Sequence, residues 1–393
     1  MTAIAPVGTD ALLPVYRRLP LEIVSGAGVH LTDADGRSYL DFTSGIAVNA
    51  LGYGDPGLVE AMRSAAEGLV HVSNLYGTAP GRMLAEALVS RSFASSVFFC
   101  NSGAEANEGA FKFARRWART TRDAGATEIV ALRGSFHGRL FGSLAATDRP
   151  AYRAPFRPLA PGISIVERDI DAIEGALLNG TVAAVIAEPV QGEGGVRVLA
   201  PEFLRALRQL TRAHGVALIL DEVQCGLGRT GSFFAYEQAG IEPDLLTLAK
   251  PLAGGLPMGA VLLSSEIAAT IKPGDHATTF GGGPFVASVA NYVVERLSDP
   301  DLLDSVSENG AWLGNQLASL AQRLPTVRAA RGIGYMWGID VTMPAGQLVT
   351  AAMEAGLLVC SAGEHTVRLL PPLVATREEL AEGLGILEDV LRQ

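Results

Sequence analysis

Lys250 is one of three lysines in a chain of 393 residues, and the other basic side chains are arginines. It ends the apolar run Pro243-Asp244-Leu245-Leu246-Thr247-Leu248-Ala249. It also opens the glycine-rich stretch Pro251-Leu252-Ala253-Gly254-Gly255-Leu256-Pro257. A short apolar run bounded by Pro and Gly predicts a buried strand that leads into a loop. A lysine there loses hydration, which disfavours the ammonium form and lowers its pKa. The neutral amine is a nucleophile towards aldehydes, the chemistry of covalent cofactor attachment. A bias towards arginine explains the scarcity of lysine but not the position of Lys250.

Further stretches join it. Asn101-Ser102-Gly103-Ala104-Glu105 follows the apolar Val97-Phe98-Phe99-Cys100 and opens a helical pattern. Free N–H groups at a helix start suit an anion such as phosphate, although Asn or Ser there also serves as a plain cap. Phe136-His137-Gly138-Arg139 also follows a strand-like run. Its phenylalanine could stack on a flat ring and Arg139 could clamp a carboxylate; taken alone, His137 reads as a satisfied core or loop histidine. Glu193 lies in the glycine-rich Gln191-Gly192-Glu193-Gly194-Gly195 and reads as catalytic, as an arginine partner or as solvated, and taken alone the solvated reading wins. Asp221 closes Leu218-Ile219-Leu220-Asp221, at the strand end where open parallel sheets bind ligands. A buried carboxylate needs a cationic partner, and a protonated pyridine nitrogen would serve. Metal coordination competes with that reading, without the ligand cluster a metal site would need. Thr278-Thr279-Phe280-Gly281-Gly282 offers hydroxyl and backbone donors just before a helix, or is simply a turn.

The elements that must position these residues are legible as alternation. Strands are expected at Val97–Cys100, Ile129–Leu132, Val182–Ala187, Ala217–Leu220, Leu245–Leu248 and Gly259–Leu263. Helices over Ala104–Thr120 and Pro201–Ala213 fall between them. Such alternation implies an α/β fold with a mostly parallel sheet covered on both faces. Residues 22–42 read as a hairpin around Asp33-Ala34-Asp35-Gly36. From residue 285 onward, helices Pro284–Leu297, Asp301–Leu324 and Arg377–Leu391 with two short strands suggest a smaller α+β domain. The expected division is residues 1–45 as an N-terminal segment joining the small domain, 46–284 as the large domain and 285–393 as the small domain.

Composition narrows the function classes. A net charge of −10 argues against nucleic acid and anionic membranes as main partners. No apolar run approaches the ~20 residues that span a bilayer. The first residues lack the basic and apolar regions of a secretory signal. Cys100, Cys225 and Cys360 are few and widely spaced, which fits a reducing, cytoplasmic setting without disulfides or a zinc site.

The stretches NSGAEANE, FHGR, EPVQGEGGV, LDEVQCGLGRTG, TLAK and TTFGG together resemble the class III (ω-) pyridoxal-phosphate aminotransferases. The resemblance runs from Leu13 to Val374 and implies fold type I, with a mostly parallel seven-stranded sheet in the large domain. It implies that Lys250 holds pyridoxal 5'-phosphate through a Schiff base and shuttles a proton, with a pKa lowered towards about 7–8 when free. Asp221 would keep the ring nitrogen protonated. Phe136 and Val223 would cover the two ring faces, and Gln224 would lie near the ring hydroxyl. Ser102, Gly103 and Ala104 would bind the phosphate, and Thr279, with Thr278 nearby, would reach the phosphate of a neighbouring subunit in a homodimer. Arg139 would take the substrate α-carboxylate, and Glu193 and Arg368 would form a pair that switches when 2-oxoglutarate replaces the amino donor.

The expected reaction moves the ω-amino group of N2-acetyl-L-ornithine to 2-oxoglutarate, giving N-acetylglutamate 5-semialdehyde and glutamate, as in arginine biosynthesis. Ser44–Asn49 and His71–Tyr76 carry the likeness to that branch, and no aromatic stands near Gly45 to meet a free α-amine. Ornithine, succinyl-diaminopimelate and a carrier-bound lysine precursor stay open as donors. So does an aminomutase or racemase reaction, which the presence of both Glu193 and Arg368 argues against. The chain departs from the family pattern at Tyr53 and Asp55, at Pro251, which would hold Lys250 extended, and at Gly283.

Overall fold

The computed structural model describes residues 11–392. The start of the N-terminal segment, including the residues read for a secretory signal, lies outside them. A seven-stranded sheet forms the centre, in the order Ser96–Cys100, Gly259–Leu263, Leu245–Leu248, Ala217–Asp221, Val182–Ala187, Glu128–Leu132, Ile163–Val166. Gly259–Leu263 runs antiparallel to both neighbours and the remaining pairs are parallel. Val182–Ala187 is buried at all six positions because helices cover both faces of the sheet. Truncating a fully buried Ile129 or Ile186 to Ala would cost about 2–5 kcal/mol.

Six of the seven strands match the expected runs to within one residue. The seventh, Ile163–Val166, was not foreseen. It is a four-residue edge strand, only partly buried, and its neighbourhood of Pro155, Pro158, Pro161 and Gly162 reads as loop. The helix Gly103–Thr121 buries Ala106, Ala110, Phe111, Ala114 and Ala118 against the sheet. Spacing of three and four residues between small side chains lets its backbone approach the strands closely.

The expected N-terminal hairpin is a three-stranded antiparallel meander, Ile23–Ala27, His30–Asp33 and Ser38–Asp41. Leu357–Leu358 adds to it in parallel, pairing Leu40 with Leu357, so the two ends of the chain share one sheet. A second small sheet holds Val327–Ile333, Met336–Val341, Thr366–Leu369 and Cys360–Ser361. The C-terminal part therefore has five strands where two were expected. Two of them are two residues long, too short to show any period. Helix Pro300–Arg323 packs on Val327–Ile333. Helix Pro284–Leu297 instead packs on Pro56–Glu67, Ala79–Val89 and the turn that starts at Lys250.

Tyr53 and Asp55 take local structural roles. The Tyr53 hydroxyl donates to Asp41 Oδ2 at 2.7 Å. Asp55 caps helix Pro56–Glu67 through Leu58 N at 2.7 Å and accepts the Tyr292 hydroxyl at 2.7 Å. Pro251 does not leave Lys250 extended: Lys250 is the first residue of a 3-10 turn, Lys250–Ala253, closed by Leu252 N donating to Ala249 O at 2.7 Å.

Candidate active site

Parallel strands deliver their carboxyl ends to one edge of the sheet, and this edge collects the expected residues. A cavity of about 430 Å3 there is lined by Ser102, Gly103, Ala104, Phe136, Arg139, Glu193, Asp221, Val223, Gln224 and Lys250. The antiparallel strand starts at the same edge, so Leu256, Pro257 and Met258 close one wall. Thr278 and Thr279 lie apart, lining a separate surface cavity of the same chain with His71, Asn74 and Tyr76.

Asp221 is 4% exposed and fully engaged. Its Oδ2 lies 2.7 Å from His137 Nδ1 and accepts Asn107 Nδ2 at 2.8 Å. Its Oδ1 accepts the Val223 N–H at 3.0 Å. Asn107 is oriented in turn by donating to His137 O at 2.7 Å and accepting from Thr247 Oγ1 at 2.8 Å. Thr247 sits opposite Asp221 in the strand register. The neighbouring Glu222 points elsewhere, accepting Ala235 N at 2.7 Å and Tyr236 N at 2.8 Å. Burial pushes the Glu222 carboxyl up to about 8.

Lys250 follows the adjacent strand into the same cavity. Burial first, and then the Arg368 charge, lower its pKa to about 8. Glu188 ends the strand on the other side and accepts the Phe136 N–H at 3.1 Å. Burial and the nearby Asp221 hold its carboxyl well above the usual range.

Ser102 is the N-cap of helix Gly103–Thr121, with Oγ accepting Glu105 N at 3.2 Å. The cap and ligand readings are compatible, because a hydroxyl can accept one bond and donate another. The Gly103 and Ala104 N–H groups belong to the first turn, where no intrahelical acceptor exists. Gly103 has to be glycine: a Cβ would sit 2.6 Å from Val223 Cγ1.

Two of the expected arginines sit differently: Arg139 lines the cavity, and Arg368 is buried and paired with the lining Glu193. Arg139 is exposed, and its guanidinium lies 3.6 Å from the Tyr152 ring centroid and 5.7 Å from that of Phe136. Its side chain makes no ion pair among the described residues. Arg368 is 1% exposed and is capped by Glu193, Nη1 to Oε1 at 2.7 Å. Arg368 Nη1 also donates to Gln224 Oε1 at 3.0 Å, and Nε to Cys360 Sγ at 3.5 Å. Burial alone would raise the Glu193 carboxyl; the Arg368 guanidinium more than offsets this and holds it below its ordinary range.

Sequence reading missed Asn107, Glu188 and Thr247, and read His137 as a satisfied core or loop histidine; it is buried, but its partner is Asp221. Asn107 carried a signal: it is the one amide on the apolar face of helix Gly103–Thr121, and a polar group there needs a buried partner. No such signal marks His137, whose partner is 84 residues away in sequence. No group of three or more His, Cys, Asp or Glu able to hold a metal occurs among the described residues. Nor is any described helix long and apolar enough to cross a membrane.

Known proteins share this architecture. A mitochondrial acetylornithine aminotransferase of Alnus glutinosa is 46% identical over 381 residues, covering 96% of this chain and 84% of that protein. The crystal structure of N-acetylornithine aminotransferase from Stenotrophomonas maltophilia superposes with a TM-score of 0.85 at 37% identity, covering 96% of this chain and 97% of the other. An ornithine aminotransferase from Toxoplasma gondii, with partial occupancy of PLP at its active site, gives a TM-score of 0.93 at 30% identity over 98% of this chain and 92% of that one. The class-III aminotransferase family model matches residues 14–391, and the chain belongs to that family.

Proposed function

We propose that the protein moves the ω-amino group of N2-acetyl-L-ornithine to 2-oxoglutarate with pyridoxal 5'-phosphate as cofactor. The observation that carries this reading is a cavity lined by an unpaired Arg139 and by Glu193, whose ionic partner is the buried Arg368. One cationic anchor is open and the other is capped by a carboxylate on a glycine-rich loop. The amino donor has one carboxylate and needs only Arg139. 2-Oxoglutarate has two, and its second can replace Glu193 on Arg368. Alternating use of one pocket in this way fits ping-pong transfer.

The residues present fit the cofactor. The cavity has a helix-start anion cradle at Ser102, Gly103 and Ala104, a fixed carboxylate at Asp221 and a lysine held largely neutral above about pH 8. Phe136 and Val223 would face the ring, and Gln224 would lie beside its hydroxyl. Once bound, the cofactor supplies an electron sink for loss of a proton from the amine-bearing carbon. The Asp221 carboxylate would face the pyridine nitrogen and favour its protonated form. Lys250 Nζ, when neutral, takes the proton from one carbon and returns it to another. Arg139 holds the donor carboxylate. Val48 lines the cavity and the stretch Ser44–Asn49 around Gly45 carries no aromatic, which suits an acylated amine.

The reading includes a cytoplasmic homodimer in which Thr278 and Thr279 reach the partner's phosphate site. Phe280, 66% exposed, and Leu75, 87% exposed, flank that face and would be covered by the second copy. It also includes two domains, with helix Pro284–Leu297 riding on the large one and residues 23–41 joining the small one. The test is a set of single half-reactions on yellow holoenzyme with N-acetylornithine, ornithine and succinyl-diaminopimelate. Fast bleaching with N-acetylornithine and slow bleaching with ornithine are expected. A yellow protein indifferent to all three overturns the substrate assignment.

A further inference from the structure

A second cavity, of about 470 Å3, adjoins the loop that carries Glu193. Glu193 lines the Lys250 cavity, whereas Gly194 and Gly195 line this one. Its walls hold Arg149, Arg197, Arg328 and Arg331 against a single lining carboxylate, Asp340. Asp340 is committed to Arg331, with Nη1–Oδ2 at 2.6 Å and Nη2–Oδ1 at 2.9 Å, and it also accepts Thr366 Oγ1 at 2.6 Å. Glu364, beside the lining His365, is exposed and lies 3.8 Å from His365 Nε2, and the Glu193 carboxylate, which also feels Arg149, is paired with Arg368. His365 Nδ1 faces Met343 O at 3.0 Å.

Three of these arginines hold three successive carbonyls of the loop. Arg149 Nη2 donates to Glu193 O, Arg197 Nε to Gly194 O at 3.1 Å and Arg331 Nε to Gly195 O at 2.7 Å. Gly195, at φ +95°, lets Arg331 come this close; a Cβ there would meet Nη2 at 3.0 Å. Neutral carbonyls take N–H bonds but cancel no charge. Arg328, on the edge strand Val327–Ile333, makes no ion pair among the described residues. Four guanidinium groups around one carboxylate repel one another, on a chain whose net charge is otherwise −10. The Arg331 fork is taken by Asp340, but Arg149 and Arg197 spend N–H groups only on carbonyls, and they and Arg328 keep others free in the flat forked geometry that matches phosphate or carboxylate oxygens.

We propose that this cavity binds a small oxyanion carrying two or more negative charges. The inference is independent of the aminotransferase reading, since none of the four arginines lines the Lys250 cavity. The test is calorimetric titration of the holoenzyme with pyrophosphate and, separately, with citrate. One-site binding is expected. It should survive Arg139→Ala, which removes the open anchor of the other cavity. It should weaken at least about tenfold in Arg197→Ala/Arg328→Ala, as loss of charge-assisted bonds requires. Both substituted side chains are exposed, so the fold is retained. The double Lys variant, which keeps the charge, should recover part of the affinity. Tighter pyrophosphate binding identifies a phosphate-bearing ligand and tighter citrate binding a polycarboxylate. Failure to bind either probe, undiminished binding in the double Ala variant or loss of binding in Arg139→Ala would overturn the proposal.

Discussion

Asp221 and Glu193 line the same cavity and are held in opposite ways. Asp221 ends a fully buried strand, and three donors from three different segments fix both of its oxygens. Glu193 stands on a loop with glycine on both sides, its side chain is 27% exposed, and its bond is to one ionic partner. A carboxylate locked by a buried network can do one thing permanently, such as holding a charge against a cofactor ring. A carboxylate on a loop with a single partner can be exchanged for another carboxylate at little cost elsewhere. On the proposed function, the cavity would pair a fixed electrostatic element with a replaceable one, as alternating between two substrates requires.

Perturbing the fixed side should give the largest effects. Lys250→Ala is expected to lower turnover by roughly 10⁴-fold or more, read as glutamate formed per unit time, with the yellow colour lost on dialysis. Asp221→Asn should follow, at about 10³-fold. Its amide keeps the shape but not the charge, and the visible spectrum of the reconstituted protein should shift as well. Should Asp221→Asn prove nearly as active as the parent, the fixed half of the comparison fails.

Perturbing the replaceable side should separate the two half-reactions. Arg368→Ala should slow the 2-oxoglutarate half-reaction by about 10²-fold, the range for losing one member of a buried charge pair, and leave the N-acetylornithine half within a few-fold. Equal losses in both would show that Arg368 serves the fold rather than the second carboxylate. Smaller still, Asn107→Ala should cost about 1–3 kcal/mol of stability by leaving the buried His137 carbonyl and Thr247 hydroxyl unpaired, measured by denaturant unfolding.

The pH dependence sharpens the contrast further. Lys250 has its pKa lowered to about 8, first by burial and then by Arg368. Its ammonium form, dominant below that pH, cannot attack an aldehyde. Cofactor uptake by cofactor-free protein should therefore rise as pH climbs through about 8 and level off above it, as followed by rapid mixing. The sign for stability agrees: a lysine with a depressed folded pKa binds fewer protons folded than unfolded. The cofactor-free protein should thus gain stability as pH rises from about 8 towards the ordinary lysine value of 10.5.

Much of this was legible in the sequence because local rules govern it. Lys250, Asp221 and Gly103 sit at strand ends and a helix start, which apolar runs and caps mark directly. The edge strand Ile163–Val166 and the two-residue strands near Leu357 carry too little pattern to be read, since neighbours in space rather than their own residues hold them in the sheet. The His137–Asp221 contact and the run of arginines along Glu193, Gly194 and Gly195 are products of tertiary assembly. Apart from the local Arg197–Gly194 bond, they join segments 84, 44 and 136 residues apart, with no shared motif to announce them.

The most direct test of a shared cavity with one replaceable carboxylate is Glu193→Gln, with the two half-reactions measured separately on holoenzyme. The substitution leaves Arg368 without its ionic cap while keeping a side chain of the same size. The account predicts that the apparent affinity for 2-oxoglutarate rises by about tenfold while the N-acetylornithine half-reaction slows. Equal slowing of both half-reactions, or no change in either, would contradict it.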